Sequence, residues 1–339
     1  MPAWFSVLRL LPGALVLALS GCAVAKPVPA PAEKHPGMEA LISELAPDDA
    51  VRQQAYRELL QGAEFQQRII DLMTRPAEAK PWKDYRPIFI TEQRIVDGLK
   101  FWREHRDVLA AAQAQHGVAA PYLVSIIGIE TSYGRNVGSF KVIDALTTLG
   151  LYYPPREAYF RGELKRFLTL NDAPGVGIDL PGAVGSYAGA MGLGQFMPTS
   201  IVNFAVDGDA DGRIDLWQSK PDITGSVANY FKGHGWVDGA PVMRRLTAQP
   251  GATPPPGVTL DPTLTLGALV EAGYVPEGDY DPAQAATLLT LEGAEGTEHW
   301  AIFPNFRVIT RYNRSPLYAT AVYQLAIALD ARMRREAAP

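Results

Sequence analysis

The chain has 339 residues, a formal net charge of −5 at pH 7 and a hydrophobic content of 47%. This length and composition are typical of a globular protein with room for more than one subdomain, and they exclude wholesale disorder. The acidic balance argues against a nucleic-acid-binding protein, which needs a basic surface, so we expect no nucleic-acid partner.

The first residues have the pattern of a secretory signal. Arg9 precedes an apolar run from Leu10 to Leu19, which is far shorter than the ~20 residues needed to span a bilayer. Residues 19–22 read LSGC, which resembles a bacterial lipobox, and Cys22 is the only cysteine in the chain. We therefore predict a lipoprotein signal peptide over 1–21 and lipidation of Cys22. The alternative is an ordinary signal peptide with a stray buried cysteine.

The residue after the cysteine bears on where such a lipoprotein would lie. It is Ala23, whereas an aspartate there would favour retention in the inner membrane. We therefore expect the protein at the periplasmic face of the outer membrane of a Gram-negative bacterium, held by a lipid anchor.

A proline- and alanine-rich stretch over 22–37 predicts a semi-extended tether. Helical patterning follows, and it predicts a helical region over 38–120. Within this region the run from Thr91 to Gly117 is interpreted as one helix, with Thr91 as its N-cap and Gly117 at its stop.

The next predicted helix carries a glutamate among apolar residues. Pro121 suits the first turn of a helix, and Gly134 suits its C-terminal cap. Residues 126–134 read IIGIETSYG, and helical spacing places Glu130 on the apolar face. Apolar surroundings favour the neutral carboxyl, so the pKa of Glu130 should rise toward the range that suits a general acid. The alternative is a structural glutamate satisfied by backbone donors or by Arg135.

An acidic loop follows in the second half of the chain, where residues 206–224 read VDGDADGRIDLWQSKPDIT. Alternating aspartates followed by a glycine match the first half of an EF-hand loop, whose oxygen ligands suit calcium. The pattern departs from the EF-hand at its twelfth position, where Gln218 replaces the bidentate glutamate. The alternative is a solvated acidic loop without a metal.

The last part of the chain changes character twice. Residues 247–306 are rich in proline and turn signals and are partly strand-like, which predicts a small β-containing subdomain. Residues 307–335 return to helical patterning and should rejoin the core. The predicted fold class is therefore mainly α, of the α+β type.

Five stretches in this order resemble the B-type lytic murein transglycosylases. They read IIGIETSYGRNVG, VIDALTTLGLYYPPREAYFRGEL, GSYAGAMGLGQFMPTS, GSVANYFKGHGW and VITRYNRSPLYATAVYQL. The resemblance extends from about Tyr85 to Gln324, and the glutamate motif followed by AGAMGLGQFMP is its most specific part. It implies a lysozyme-like catalytic core over 121–246, with a helical N-terminal region before it and the small β-containing insert after it.

The resemblance also implies a reaction. Glu130 matches the family's single catalytic acid and base, which cleaves the β-1,4 bond between N-acetylmuramic acid and N-acetylglucosamine without water and forms 1,6-anhydromuramoyl products. The partners it implies are peptidoglycan glycan strands, with other cell-wall enzymes as further candidates. The predicted substrate-binding residues are Ser186, Tyr187, Gln195, Tyr230, Tyr312, Asn313 and Tyr318.

The family resembles this chain in the acidic loop as well, because its loop is longer than an EF-hand loop and is closed by a later acid. Asp222 is the candidate for that acid, with Asp215 as a substitute. We predict a structural Ca²⁺ in the loop 207–222 and no organic cofactor. The predicted metal-binding residues are Asp207, Asp209, Asp211, Arg213 and Asp222.

Two other functions stay open at this point. A hydrolytic muramidase needs a second carboxylate across the groove, for which Asp144 is the candidate. A calcium-stabilised, peptidoglycan-binding lipoprotein needs no catalytic group at all. Other chemistry lacks support, because the five histidines do not have zinc-binding spacing and no serine nucleophile motif occurs.

Overall fold

The structure is a computed structural model that describes residues 35–74 and 80–337. The predicted signal peptide, Cys22 and most of the predicted tether lie outside the described residues. The predicted fold class is confirmed, because the described part is mainly helical with two small sheets. None of the described helices has both the length and the apolar character needed to cross a bilayer.

Helices make up most of the described chain. In chain order they are α1 (Met38–Leu45), α2 (Ala50–Gly62), α3 (Gln67–Met73), α4 (Trp82–Phe89), α5 (Glu92–Glu104), α6 (Arg106–His116), α7 (Ala120–Thr131), α8 (Val142–Tyr152), α9 (Glu157–Leu168), α10 (Pro198–Phe204), α11 (Lys220–Gly233), α12 (Leu266–Glu271), α13 (Pro304–Tyr312) and α14 (Pro316–Ala337). The strands are β1 (Phe140–Lys141), β2 (Val184–Gly185), β3 (Met243–Ala248), β4 (Leu264–Thr265), β5 (Tyr274–Pro276), β6 (Ala285–Gly293) and β7 (Gly296–Ile302).

The helix predicted from Thr91 to Gly117 is two helices. Thr91 caps α5 as predicted, since its hydroxyl accepts a hydrogen bond from the Arg94 amide at 3.1 Å. The break falls at His105, which leaves helical geometry and ends α5. The reason is tertiary, because α5 packs against α7 and α14 whereas α6 packs mainly against α11. The predicted stop at Gly117 is confirmed by its left-handed conformation.

Helix α7 lies at the centre of the molecule. It begins at Ala120 with Pro121 in its first turn, as predicted, and it contacts α5, α6, α11 and α14. The prediction of a single apolar face is wrong, because neighbours cover the helix on nearly every side. The helix also ends earlier than predicted, since Ser132 and Tyr133 already have positive φ angles of 50° and 62° before Gly134.

The β-containing insert is a five-stranded antiparallel sheet in the order β4-β6-β7-β3-β5. It begins at Met243 rather than at residue 247, because β3 pairs with β7 from Met243 onward. Its apolar face and α12 enclose a separate small core that includes Leu266 and Leu269. The sheet therefore adds a second packing unit to the helical body.

The chain then returns to the helical body through α13 and α14. The helical patterning predicted over 307–335 corresponds to α13 and α14, and Val322, Leu325 and Leu329 on α14 are fully buried. This face of α14 packs against α7, while Ile327 on the opposite side of α14 is exposed. Helix α14 thus has an inner face toward α7 and an outer face.

Candidate active site

The carboxyl of Glu130 lies in the last turn of α7, where the residue is partly buried. Burial raises its pKa from 4.5 to about 7, although a hydrogen bond from the Tyr318 hydroxyl to Oε1 at 2.5 Å opposes that rise. Arg135 does not neutralise the carboxyl, since it forms an ion pair with Asp97 at 2.6 Å. Glu130 is therefore a partly buried acid whose desolvated carboxyl is partly protonated at neutral pH.

Three tyrosines form a wall next to this carboxyl. Tyr312 is close enough that the charge of Glu130, together with burial, raises its phenol pKa, and its hydroxyl donates to the Gly194 carbonyl at 2.7 Å. Tyr230 lies behind it, with ring centroids 4.7 Å apart, and donates to the Arg311 carbonyl. The structure therefore brings Tyr312 and Tyr318 to Glu130, while Tyr230 supports Tyr312 from the buried side.

The glycine-rich turn at 192–195 is tied to the same helix end. The hydroxyl of Thr131, the residue after Glu130, donates to the Leu193 carbonyl at 3.1 Å. Gln195 has a positive φ of 51°, and its amide nitrogen donates to the carbonyls of Gly192 at 2.9 Å and Val137 at 3.3 Å. Gln195 thus braces the turn through its Nε2.

The remaining predicted contact residues have different surroundings. The Ser186 hydroxyl accepts from the Ala190 amide at 3.0 Å and from the Ala188 amide at 3.3 Å, so it shapes the loop after β2. Tyr187 is exposed. Asn313 follows α13 directly, and its side chain makes no hydrogen bond to another described residue.

Tyr133 supports the helix end from inside, and the sequence did not predict this role. Its ring lies between α5 and α7 at two glycines, where no side chain would fit. A Cβ at Gly98 of α5 would lie 2.3 Å from the Tyr133 hydroxyl, and a Cβ at Gly128 of α7 would lie 2.5 Å from it. The hydroxyl donates to the Arg94 carbonyl at 3.0 Å. The available signal was the pair of glycines inside helical patterns, which indicates close packing.

Asp144, the candidate second carboxylate of a muramidase, lies in α8 and is buried. Its Oδ1 accepts from the Glu64 amide at 2.9 Å, and its Oδ2 lies 3.5 Å from the Gln66 side-chain nitrogen. These contacts join α8 to the segment between α2 and α3. No carboxylate contributes to the pKa shift of Glu130.

The acidic loop between α10 and α11 gathers three carboxylates. Oxygens of Asp207, Asp209 and Asp211 all lie within 4.8 Å of one another, and this is the one such group of acids and histidines among the described residues. The Asp207 carboxylate also accepts from the amides of Asp211 and Gly212, and Gly212 has a φ of 89°. This oxygen-rich donor set fits Ca²⁺.

Asp222, predicted to close this loop, does not belong to the three-carboxylate group. It begins the buried part of α11, and its two oxygens accept from the amides of Gly208 and Asp215, each at 2.7 Å. Burial raises its pKa, and these hydrogen bonds oppose the rise. Asp222 therefore braces both ends of the loop, while Asp215 caps the turn at Trp217.

A helical core that places one glutamate beside tyrosines, with a small sheet next to it, agrees with the lysozyme-like transglycosylases. The chain belongs to the transglycosylase SLT domain family, whose model matches residues 33–327. It is 38% identical over 306 residues to membrane-bound lytic murein transglycosylase B of Escherichia coli, covering 87% of this chain and 83% of that protein.

Three solved structures have the same fold. Lytic transglycosylase SltB1 of Pseudomonas aeruginosa is 46% identical, with a TM-score of 0.81 over 88% of this chain and 98% of that one. Slt35 of E. coli, in complex with calcium, is 38% identical, with a TM-score of 0.79 over 88% and 94%. SltB3 of P. aeruginosa, in complex with NAG-anhNAM-pentapeptide, is 28% identical, with a TM-score of 0.73 over 86% and 78%.

Proposed function

We propose that this protein is a lytic transglycosylase that cleaves the β-1,4 bond between N-acetylmuramic acid and N-acetylglucosamine in peptidoglycan. The observation that carries the proposal is Glu130, a partly buried carboxyl whose desolvation raises its pKa to about 7 and which accepts one hydrogen bond, from Tyr318. A general acid is most effective when its pKa lies near the working pH. The family membership and the named relatives support the substrate class.

In the first step, neutral Glu130 donates its proton to the glycosidic oxygen. The bond from that oxygen to C1 of the muramic residue breaks, and the N-acetylglucosamine leaves with a free hydroxyl. Positive charge develops at C1, where the N-acetyl carbonyl of the same residue stabilises it. The carboxylate that remains on Glu130 is stabilised by the Tyr318 hydroxyl, because a hydrogen bond to the charged form favours that form.

In the second step, the Glu130 carboxylate takes the proton of the muramic 6-hydroxyl while its oxygen bonds to C1. The product is a 1,6-anhydromuramoyl end, and Glu130 returns to its neutral state. No water is consumed. The surroundings of Asp144 support this route over hydrolysis, since its carboxylate is engaged by Glu64 and Gln66. The anhydro-sugar bound to the SltB3 relative supports it as well.

The substrate contacts are proposed on the same basis. Tyr312 and Tyr318 form the wall beside the reacting bond, and the turn with Gln195 adjoins this wall, because the Tyr312 hydroxyl donates to the Gly194 carbonyl. Exposed Tyr187, Ser186 and Asn313 extend this surface along the glycan, while Tyr230 acts through Tyr312.

We further propose that Asp207, Asp209 and Asp211 hold a structural Ca²⁺, with Arg213 contributing from the main chain. The calcium complex of Slt35 supports this assignment. Three carboxylates this close repel one another, and a divalent cation would remove that repulsion. The flanking helices are already joined near the loop, because Asn229 of α11 donates to the Phe204 carbonyl of α10 at 3.0 Å.

The cellular location follows from the N-terminal pattern. We propose that Cys22 is lipidated and that the lipid anchors the protein to the periplasmic face of the outer membrane, where it would meet peptidoglycan strands. The membrane-bound E. coli relative supports an association with a membrane.

The test is digestion of purified sacculi in water enriched in ¹⁸O, with products read by mass spectrometry. We expect 1,6-anhydromuramoyl ends without ¹⁸O from the wild type and a loss of turnover of at least about a thousandfold in Glu130→Gln. Reducing ends that contain ¹⁸O would instead identify a hydrolytic muramidase. Sacculus binding without soluble products from the wild type would identify a non-catalytic wall-binding protein.

A further inference from the structure

A large cavity lies on the side of α14 that faces away from Glu130. Tyr318 on α14 contacts Glu130, whereas Tyr323 and Ile327 line a cavity of about 840 Å³. Residues 318 and 327 are nine positions apart, which places them on opposite sides of a helix at about 100° per residue. The helix therefore separates this cavity from the carboxyl.

The walls of the cavity combine aromatic rings with small apolar side chains. Tyr122 and Trp236 meet edge to face at 4.9 Å, and Trp300 and Tyr323 do so at 6.4 Å. All four rings are only partly buried and line the cavity. Apolar lining is also contributed by Ile90, Ile95, Val242, Met243, Ile327 and Ala328.

The cavity also has charged side chains that form no ion pair with another described residue. Arg86 donates to the Gln324 side chain at 2.7 Å, and Arg244 donates to the Asp279 carbonyl at 2.7 Å, but neither forms an ion pair with any described carboxylate. Asp238, which also lines the cavity, forms no ion pair with the described residues either. Arg245, by contrast, is paired with Glu298 at 2.7 Å.

A second cavity of about 620 Å³ continues the first toward the turn between β6 and β7. The two share Arg86, Arg245, Trp300 and Gln324 as lining residues. They therefore form one groove between α4, α14 and strands β3 and β7, which we call the α14 groove.

We propose that the α14 groove binds a stem peptide of a neighbouring peptidoglycan strand. This rests on the proposed function, which supplies the polymer. A stem peptide carries several carboxylates, a free ammonium group and alanine methyl groups. Arg86 and Arg244 match the carboxylates, Asp238 matches the ammonium, and the apolar walls match the methyl groups. A bare glycan strand has no charges for these residues, so the charge pattern selects the peptide.

The groove would let the enzyme hold one strand by its peptide while it cleaves another at Glu130. Because α14 lies between the two sites, the held peptide does not belong to the sugar being cleaved. On the cross-linked polymer, this binding should raise the local concentration of cleavable bonds near Glu130. On isolated glycan without peptides, it should have no effect.

The first measurement is calorimetric binding of a synthetic, sugar-free stem pentapeptide to the wild-type protein. We expect binding that weakens at least about tenfold in Arg244→Glu, because the reversal repels a ligand carboxylate. Arg334→Ala is the matched control, since Arg334 is an exposed arginine on α14 outside the groove. Absence of binding, equal binding by Arg244→Glu, or displacement of the peptide by peptide-free glycan would overturn the proposal.

The second measurement compares digestion of intact sacculi with digestion of glycan strands stripped of their peptides. We expect Arg244→Glu to slow sacculus digestion several-fold and to leave digestion of stripped strands unchanged. Equal slowing on both substrates would overturn the proposal, because the substitution would then act on the catalytic centre or the fold. If the wild type digests neither substrate, the proposed function fails, whereas the peptide-binding result still decides on the groove.

Discussion

Burial raises the pKa of Glu130 and the hydrogen bond from Tyr318 lowers it, and the resulting pKa predicts how activity depends on pH. With a pKa of about 7, the protonated fraction of Glu130 is about one half at pH 7 and falls about tenfold for each further pH unit. Since the first step needs the neutral acid, kcat/KM should have an alkaline limb near pH 7. A carboxyl with its ordinary pKa of 4.5 would place that limb more than two units lower.

Removing the Tyr318 hydroxyl should move the alkaline limb of kcat/KM to higher pH. The hydroxyl donates to the charged form of Glu130, and a hydrogen bond to a charged group contributes about 1.5–3 kcal/mol. One pKa unit corresponds to about 1.36 kcal/mol, so Tyr318→Phe should raise the pKa by about one to two units. The plateau rate should fall at the same time, because the carboxylate formed in the first step loses its stabilising donor.

The assay is kcat/KM on a soluble muro-oligosaccharide from pH 4.5 to 9, since this parameter reports ionisations of the free enzyme and free substrate. Tyr274→Phe is the matched control, because Tyr274 is a buried tyrosine in the insert. An alkaline limb near pH 5 in the wild type would contradict the buried-acid assignment. A limb that stays in place or moves downward in Tyr318→Phe would contradict the role given to that hydrogen bond.

Four other predictions follow from the same structure. Because folding raises the pKa of Glu130, ionisation of this carboxyl disfavours folding between about pH 4.5 and 7. The free energy of unfolding of Glu130→Gln, measured by denaturant titration, should therefore rise by about 3 kcal/mol relative to that of wild type from pH 4.5 to pH 8. A difference that stays constant with pH would contradict this. When free calcium is about 100 times its Kd, binding should stabilise the folded wild type by about 2–3 kcal/mol, so chelating the calcium should lower the Tm of the wild type. The Tm of Asp211→Asn should not change. Gly128→Ala should lower the free energy of unfolding by about 1–3 kcal/mol and reduce turnover, because its Cβ meets the Tyr133 hydroxyl. Gly162→Ala should change neither, because no atom lies within 4 Å of its Cβ. Burial lowers the pKa of His116, whose ring nitrogens have no hydrogen-bond partner, so protonation of His116 disfavours folding below pH 6.5, and denaturant titrations should show His116→Phe gaining stability relative to wild type as the pH falls below 6.5.

The features that follow from local patterns could be predicted from the sequence. The apolar face of α14 and the Thr91 cap both depend on residues close together in the chain, and the structure contains each of them. Family resemblance added candidate neighbours of the glutamate, and among these the structure brings Tyr318 into direct contact with it.

The features that depend on tertiary contacts could not be predicted in this way. The break at His105 exists because α5 and α6 pack against different partners. Asp222 has the right chemistry for a metal ligand, but its position at the start of α11 turns both oxygens toward the amides of Gly208 and Asp215. Tyr133 packs into a slot that exists because Gly98 and Gly128, which are 30 residues apart, both lack a side chain there.

A single carboxyl that acts first as an acid and then as a base must be stable in both protonation states. Burial alone would hold Glu130 neutral and make the carboxylate formed in the first step costly, whereas hydrogen bonding alone would hold it charged and remove the acid. At this site burial favours the neutral form, and the Tyr318 hydroxyl favours the charged one, so that the pKa lies near 7. Because the two forms are then nearly equal in free energy at neutral pH, neither proton transfer starts from a strongly disfavoured state. In the proposed mechanism this balance removes the need for a second catalytic carboxylate, which agrees with the structural contacts of Asp144.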